Sequence, residues 1–287
     1  MSQPATTTPG SPAKTAAEYR WGLIWRMTFL LILSLLLSSC ATPKPKPFDL
    51  GHWTRIQIEQ LQSEVQDIPD PAGKITLISA AFLKTPYRSN TLIGSSETDE
   101  IFVLRLDGVD CFTFLDYVEA LRRSTNFAEF ETVLRQVRYT NGEVTFLQRH
   151  HFFSAWGNVP LAPLRDVTSQ VGGSKTRWVV KQLNQKGDGT LYLAGYPVKK
   201  QVIAFIPPEI IDLSILDKLH SGDYIGIYSP LPGLDVSHTG IIIRKKGEIF
   251  LRHASSKRWR NQVRDEKLLP YLGKKKGLIV YRPVVEH

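Results

Sequence analysis

The chain has 287 residues, with 36 Lys and Arg against 27 Asp and Glu, a formal charge of +9 and 42% hydrophobic residues. Its length permits one sizeable core. The basic residues are scattered, apart from Lys274-Lys275-Lys276 and the patch at 257–260, which argues against a nucleic-acid groove and suits residence beside an anionic surface.

Residues 1–39 read as a disordered N-terminus followed by an export signal. Residues 1–19 are rich in Ser, Thr, Pro and Ala, a composition that cannot bury enough apolar surface to repay ordering. Arg20 and Arg26 flank the start of an apolar run at 27–37. That run falls short of the roughly 20 residues a bilayer span needs and has the length of a secretory h-region; Met27 could itself be the start. It ends in Leu37-Ser38-Ser39-Cys40, which resembles a bacterial lipobox and implies lipidation of Cys40. A single-pass anchor with an incidental cysteine is the alternative. Thr42-Pro43-Lys44-Pro45-Lys46-Pro47 is an extended spacer, so 40–48 is expected to be a tether and 49–287 one domain. Lys14, Arg20 and Arg26 against Glu18 account for +2 of the +9, leaving +7 for the rest.

Ile56, Leu61 and Val65 predict an amphipathic helix over 54–66,. Pro69-Asp70-Pro71-Ala72-Gly73 breaks the pattern, and Ile75, Leu77, Ile78, Ala81 and Phe82 predict a second helix over 74–84. Residues 101–104 read as a short strand and Gly108 as a turn. Cys111, Phe114, Leu115, Val118 and Leu121 then recur at helical spacing, giving a helix over 111–124 with Asp110 as N-cap,. Asn141-Gly142 predicts a hairpin between strands at 133–139 and 143–149. Weaker strands are expected at 178–183 and 191–194. The segments 224–228, 236–244 and 248–254 are apolar and β-rich, and the last two meet around Lys246-Gly247,. Helices followed by an antiparallel sheet make the expected class α+β.

Of the two cysteines, Cys40 is assigned to lipid, which leaves Cys111 as a lone thiol in an exported protein. Such a thiol is either a small buried hydrophobe or chemically employed. At the first turn of its helix, unpaired N–H groups and the macrodipole favour the thiolate, while Asp110 opposes it unless its carboxylate is occupied in capping. Two of the seven histidines share one hairpin. With Lys246-Gly247 as its tip, His253 faces Gly240 and His238 faces Ser255. His238 and His253 then lie on one face as diagonal neighbours, about 7–8 Å apart at the backbone, and Gly240 leaves space beside His238. His238 could serve as a base oriented by His253, which is what a nucleophilic cysteine requires. A zinc site from Cys111, His238, His253 and His150 or His151 is the rival on ligand type, although no close Cys-x-x-Cys or His-x-x-x-His pair supports it.

Asp110-Cys111-Phe112-Thr113-Phe114, Ser237-His238-Thr239-Gly240-Ile241-Ile242 and His253-Ala254-Ser255-Ser256 resemble the three motifs of the NlpC-type papain-like cysteine peptidases, bacterial enzymes that cut amide bonds in peptidoglycan. Thr85-Pro86-Tyr87, Glu100, Arg138-Tyr139, Arg149-His150-His151-Phe152 with Trp156, Gly222-Asp223 and the closing run at 277–283 resemble the N-acetylmuramoyl-L-alanine amidase-like branch. The resemblance implies a papain-like α+β fold, with Cys111 opening a helix, His238 as base and His253 orienting it. It implies Tyr87 beside the thiol, and a substrate-binding set of Tyr87, Glu100, Arg149, His150, Trp156 and Ser237. His253 lies further from His238 than in the commonest members. The implied reaction is hydrolysis of the amide between a lactyl-bearing sugar and L-alanine, or of a neighbouring stem-peptide bond, without metal or organic cofactor. A stem-peptide endopeptidase, an acyl transferase and a non-catalytic wall-binding lipoprotein are the alternatives. The expected partners are peptidoglycan or muropeptides and, through Cys40, the membrane, with no nucleic acid. Ala41 after Cys40 favours the periplasmic face of the outer membrane.

Overall fold

The computed structural model describes residues 46–157 and 164–284; the expected leader and Cys40 lie outside them. Lys46–His287 form one compact unit. A short strand β1 (Phe48–Asp49) leads into helix α1 (Arg55–Gln66), where Thr54 and Gln57 form a reciprocal capping box,. Helix α2 (Pro71–Ala81) starts three residues before the periodicity suggested. Asp70 caps it by accepting from Gly73 N, and Pro71 takes the first helical position, where no amide proton is needed. The Pro-rich stretch is therefore a helix start and not a breaker. The strand expected at 101–104 is displaced: Ile101 makes one bridge to Ile93, and the strand is β2 (Leu104–Arg105), parallel to β1.

Helix α3 (Cys111–Arg122) begins at the residue its periodicity assigned. Helix α4 (Phe127–Arg138) replaces the hairpin expected around Asn141-Gly142. Asn126 caps α4 at Glu129 N, and Phe127, Phe130, Val133, Leu134 and Val137 form its buried stripe,. The Asn141-Gly142 turn is real, with both φ angles positive, but it carries the chain out of a helix. Tyr139 and Arg149 form an isolated bridge across it.

The main sheet has six antiparallel strands, β3 (Leu164–Asp166), β6 (Tyr224–Tyr228), β7 (Val236–Lys245), β8 (Glu248–Ala254), β9 (Val263–Lys267) and β10 (Leu278–Pro283), in the order β3-β10-β6-β7-β8-β9. A separate ribbon pairs β4 (Arg177–Leu183) with β5 (Lys199–Phe205). The segment expected as a strand at 191–194 is loop, because the Asn184 amide is bonded to Leu193 N, Leu193 O and Tyr196 O and folds the chain back on itself. Lys246 and Gly247 both have positive φ, as a two-residue turn between twisted strands demands. They set the register Ile241↔Arg252 to Lys245↔Glu248, the one the sequence predicts. Strands alternate between two layers. Tyr224, Ile241, Ile243 and Ile279 pack against the helices; Ile225, Ile227, Ile242 and Leu251 pack under helix α5 (Leu268–Leu272). The class is α+β with an antiparallel sheet.

Two buried carboxylates pin α3 to its surroundings. Asp116 takes Arg138 Nε at 2.8 Å and Trp156 Nε1 at 3.1 Å. Glu119 takes Arg122 through two nitrogens and the Tyr224 hydroxyl at 2.8 Å. Charges buried in this way need such partners to offset lost hydration, and they fix the axis of the helix that begins at Cys111.

Candidate functional site

Cys111 is the first residue of α3. Asp110 Oδ1 accepts from Phe112 N, Thr113 N and the Thr113 hydroxyl, which in turn accepts from Asp110 N. The cap therefore occupies the Asp110 carboxylate and fixes the backbone that carries the thiol. The β7–β8 ladder runs only from Ile241 onward, so residues 236–240 pair with β6 but not with β8. Cys111 lies along that open stretch: the Thr239 hydroxyl donates to Cys111 O at 2.6 Å, and hydrogen bonds from Thr239 also act on the sulfur.

His238 and Gly240 alternate with Thr239 and so lie on the face of Ile242. The Nε2 of His238 stands 2.7 Å from Nδ1 of His253, in a near-perpendicular ring arrangement with centroids 4.9 Å apart. Gly240 makes room for this: a Cβ there would stand 2.7 Å from Leu251 Cδ1 and 3.1 Å from His253 Cβ. The other imidazole nitrogen of His253, Nε2, faces Glu266 Oε1 at 3.5 Å. Both atoms are buried and among the described residues neither makes a shorter hydrogen bond; Arg264 Nε stands 3.6 Å from the same oxygen. Tyr271 of α5 covers the pair, its ring centroid 6.2 Å from that of His238 and 5.1 Å from that of His253. Burial raises the Tyr271 phenol, with Glu266 and then Cys111 adding to the effect.

The order of these groups fixes their protons. A carboxylate only accepts, so Glu266 favours the proton of His253 on Nε2. His253 Nδ1 then accepts, His238 Nε2 donates, and His238 Nδ1 is left with a free lone pair. Burial pushes His238 down to about 3, with His253, Lys275 and Lys257 adding to the effect. Burial likewise takes His253 to about 4, against an upward pull from Glu266. The thiol is pushed up to about 11, first by burial and then by Asp110, with Thr239 opposing. Burial therefore favours the neutral thiol on Cys111 over the expected standing thiolate, and the neutral imidazole on His238. Dehydration of the sulfur outweighs the helix N-terminus.

Four buried or half-buried histidines, His150, His151 at about 4, His238 at about 3 and His253 at about 4, lie below the ordinary 6.5. Such groups take up protons first in the unfolded chain, so they cost nothing above pH 7 and destabilise the fold as pH drops from about 6.5 towards 4. The urea midpoint should be lower at pH 5 than at pH 7.5; equal midpoints would contradict these environments.

The other expected site residues separate into two groups. Tyr87 is half-buried beside the helix start, where burial and the charges of Cys111 and Asp110 raise its phenol. Ser237 is exposed at a β-bulge, its hydroxyl 3.3 Å from Ile227 O. Arg149 and His150 line a cavity of about 320 Å³ that also reaches Asn90, Asp110 and Phe112, but both are engaged. Arg149 pairs with Glu100 at 3.0 Å and reaches Gly94 O; His150 uses Nδ1 on Val137 O and Nε2 on Thr140 Oγ1. Glu100 also accepts from the Tyr139 hydroxyl at 2.8 Å. Trp156 is only 1% exposed and bonded to Asp116, so its place is in the core and not against a substrate. Asp223 is buried, paired with Arg282 and bonded to His220 N, a structural turn residue.

Sequence reasoning passed over Thr239, Glu266 and Tyr271. Glu266 stands opposite Leu251 in β9, two residues from Arg264, the partner of His253; had β9 been recognised, the same face-sharing rule that joined the histidines would have found it. Among the described residues no group of three or more His, Cys, Asp or Glu side chains is arranged to hold a metal ion.

The family model described as N-acetylmuramoyl-L-alanine amidase-like (AmiA-like) matches residues 77–278. No curated protein matches the sequence. Among solved structures, a protein from Legionella pneumophila is 23% identical with a TM-score of 0.65, over 80% of this chain and 96% of that one. An N-acetylmuramoyl-L-alanine amidase from Bacteroides uniformis is 24% identical with a TM-score of 0.61, over 74% and 98%. A Bacteroides fragilis protein provisionally described as a xylanase is 26% identical with a TM-score of 0.59, over 71% and 98%.

Proposed function

Because the chain belongs to the N-acetylmuramoyl-L-alanine amidase-like (AmiA-like) family, we propose that it is a cysteine hydrolase that cuts an amide of peptidoglycan or muropeptides, the bond between N-acetylmuramic acid and L-alanine. We place it in the NlpC-type papain-like superfamily on the Cys and His motifs. The observation that carries the reading is the line of imidazoles and carboxylate, His238, His253 and Glu266, ending at the strand against which Cys111 packs.

In this reading His238 Nδ1 takes the thiol proton as the sulfur attacks the amide carbonyl. A thiol held neutral needs that base at the moment of attack. The Cys111 N–H and the Tyr87 hydroxyl steady the oxyanion. The imidazolium, stabilised through His253 by Glu266, protonates the leaving amine and breaks the C–N bond. His238 then deprotonates water, which attacks the thioester; the acid departs and the proton returns to sulfur. The sequence around Cys40 supports a lipid anchor and a place on the periplasmic face of the outer membrane.

Replacing Cys111 by alanine should lower muropeptide turnover by roughly 10³–10⁶-fold with the melting temperature retained. Mass spectrometry of the products from defined muropeptides identifies the bond; products that part stem-peptide residues from each other would point to the endopeptidase instead. Turnover undiminished in Cys111→Ala would end the cysteine mechanism.

A further inference from the structure

On the outer side of Tyr271 lies a second cavity, of about 550 Å³, whose wall carries six Lys and Arg against two carboxylates. The two carboxylates are already engaged: Asp265 is bonded to Arg252 by two hydrogen bonds, and Glu266 takes Lys257 at 3.1 Å. Arg260, Lys274 and Lys275 have no carboxylate partner among the described residues. Lys275 Nζ stands 4.8 Å and Lys257 Nζ 5.5 Å from the Tyr271 ring centroid, and that same ring touches both imidazoles. The cavity is thus an under-neutralised basic space one aromatic ring away from His238. Arg149, expected among the substrate-binding residues, is instead matched internally by Glu100.

We propose that this cavity, around Lys274, Lys275 and Arg260, is a subsite for the free carboxylates of the peptide on the leaving side of the scissile amide. The inference rests on the reading of Cys111 as a nucleophile toward muropeptides. An extended peptide spans about 3.3–3.6 Å per residue, so carboxylates two or three residues beyond the cut lie roughly 7–11 Å from it, a span comparable with the 6.2 Å from His238 to the Tyr271 ring followed by 4.8 Å on to Lys275 Nζ. Several separate cations around a cavity suit several separate carboxylates. One compact phosphate would be better served by converging donors at a single point. An anion seated there would also balance Lys257 and Lys275, both of which oppose protonation of His238, and so favour the imidazolium formed during attack.

The test is a calorimetric titration of the full chain carrying Cys111→Ala, so that binding is read without turnover. The probe is a tripeptide of L-alanine, D-glutamate and a dicarboxylic amino acid with all carboxylates free, compared with its fully amidated twin. The free acid should bind at least tenfold more tightly, and Lys274→Gln with Lys275→Gln should abolish that preference with the fold retained by circular dichroism; Lys274 is exposed and Lys275 half-buried against Tyr271. Equal affinity for the two peptides, or a preference that survives the double substitution, would overturn the inference. Binding to anionic phospholipid vesicles that the double substitution removes, with no binding of the peptide, would also overturn it and mark a membrane contact. A parent chain that binds the peptide but fails to cleave muropeptides would sink the hydrolase reading alone.

Discussion

His238→Ala is expected to lower kcat/KM toward muropeptides by about 10²–10⁴-fold and to leave the fold in place. The thiol is held protonated up to about 11 by burial and by Asp110, so the thiolate is scarce at neutral pH unless a base removes the proton during attack. In the proposed mechanism that base is His238, which burial keeps neutral down to about 3. Residual activity of His238→Ala should therefore climb with pH through the alkaline range, as hydroxide takes over the proton, while the parent enzyme stays nearly flat. Glu266→Gln should give a smaller loss, because it keeps the shape and removes the charge that holds His253 in one tautomer. A His238→Ala enzyme within threefold of the parent at pH 7 would contradict the assignment.

Asp116→Asn should cost about 3–5 kcal/mol of stability, since it leaves the buried Arg138 guanidinium without its ion-pair partner,. Asp116 and Arg138 are 1% and 2% exposed, and among the described residues no other carboxylate pairs with Arg138. At about 2–4 °C per kcal/mol for a domain of this size, the melting temperature should fall by roughly 6–20 °C by calorimetry. Replacing both members by apolar residues of similar volume should recover much of the loss. A fall below about 1 kcal/mol would mean that Asp116 is not the anchor of α3. The consequence for function is indirect: α3 carries Cys111 at its first turn, so a loosened α3 misplaces the sulfur.

The parts of the molecule readable in advance are those where one local rule decides. Asp110 and the period of Phe114, Leu115, Val118 and Leu121 define α3, and Lys246-Gly247 defines the β7–β8 turn, hence the register that joins His238 to His253. Errors arose where two rules compete. Asn141-Gly142 is a genuine turn, but the five apolar residues before it recur at helical spacing and bury as a helix. Pro71 breaks a helix from within but opens one when Asp70 precedes it. β9, Val-Arg-Asp-Glu-Lys, is too polar to read as a strand, and that concealed Glu266. The charge state of Cys111 was illegible for another reason: the helix terminus is local and visible in sequence, whereas the dehydration that outweighs it comes from residues distant in the chain. Arg149 was similarly misleading, since its partner Glu100 lies 49 positions away.

Intact-protein mass spectrometry of a rapidly quenched reaction reports on the sulfur itself. With excess muropeptide the parent chain should gain the mass of the muramyl acyl group as a thioester, and digestion should locate it on the peptide containing Cys111. No adduct on that peptide, together with continued cleavage by a chain lacking the thiol, would show that the bond is broken by other groups.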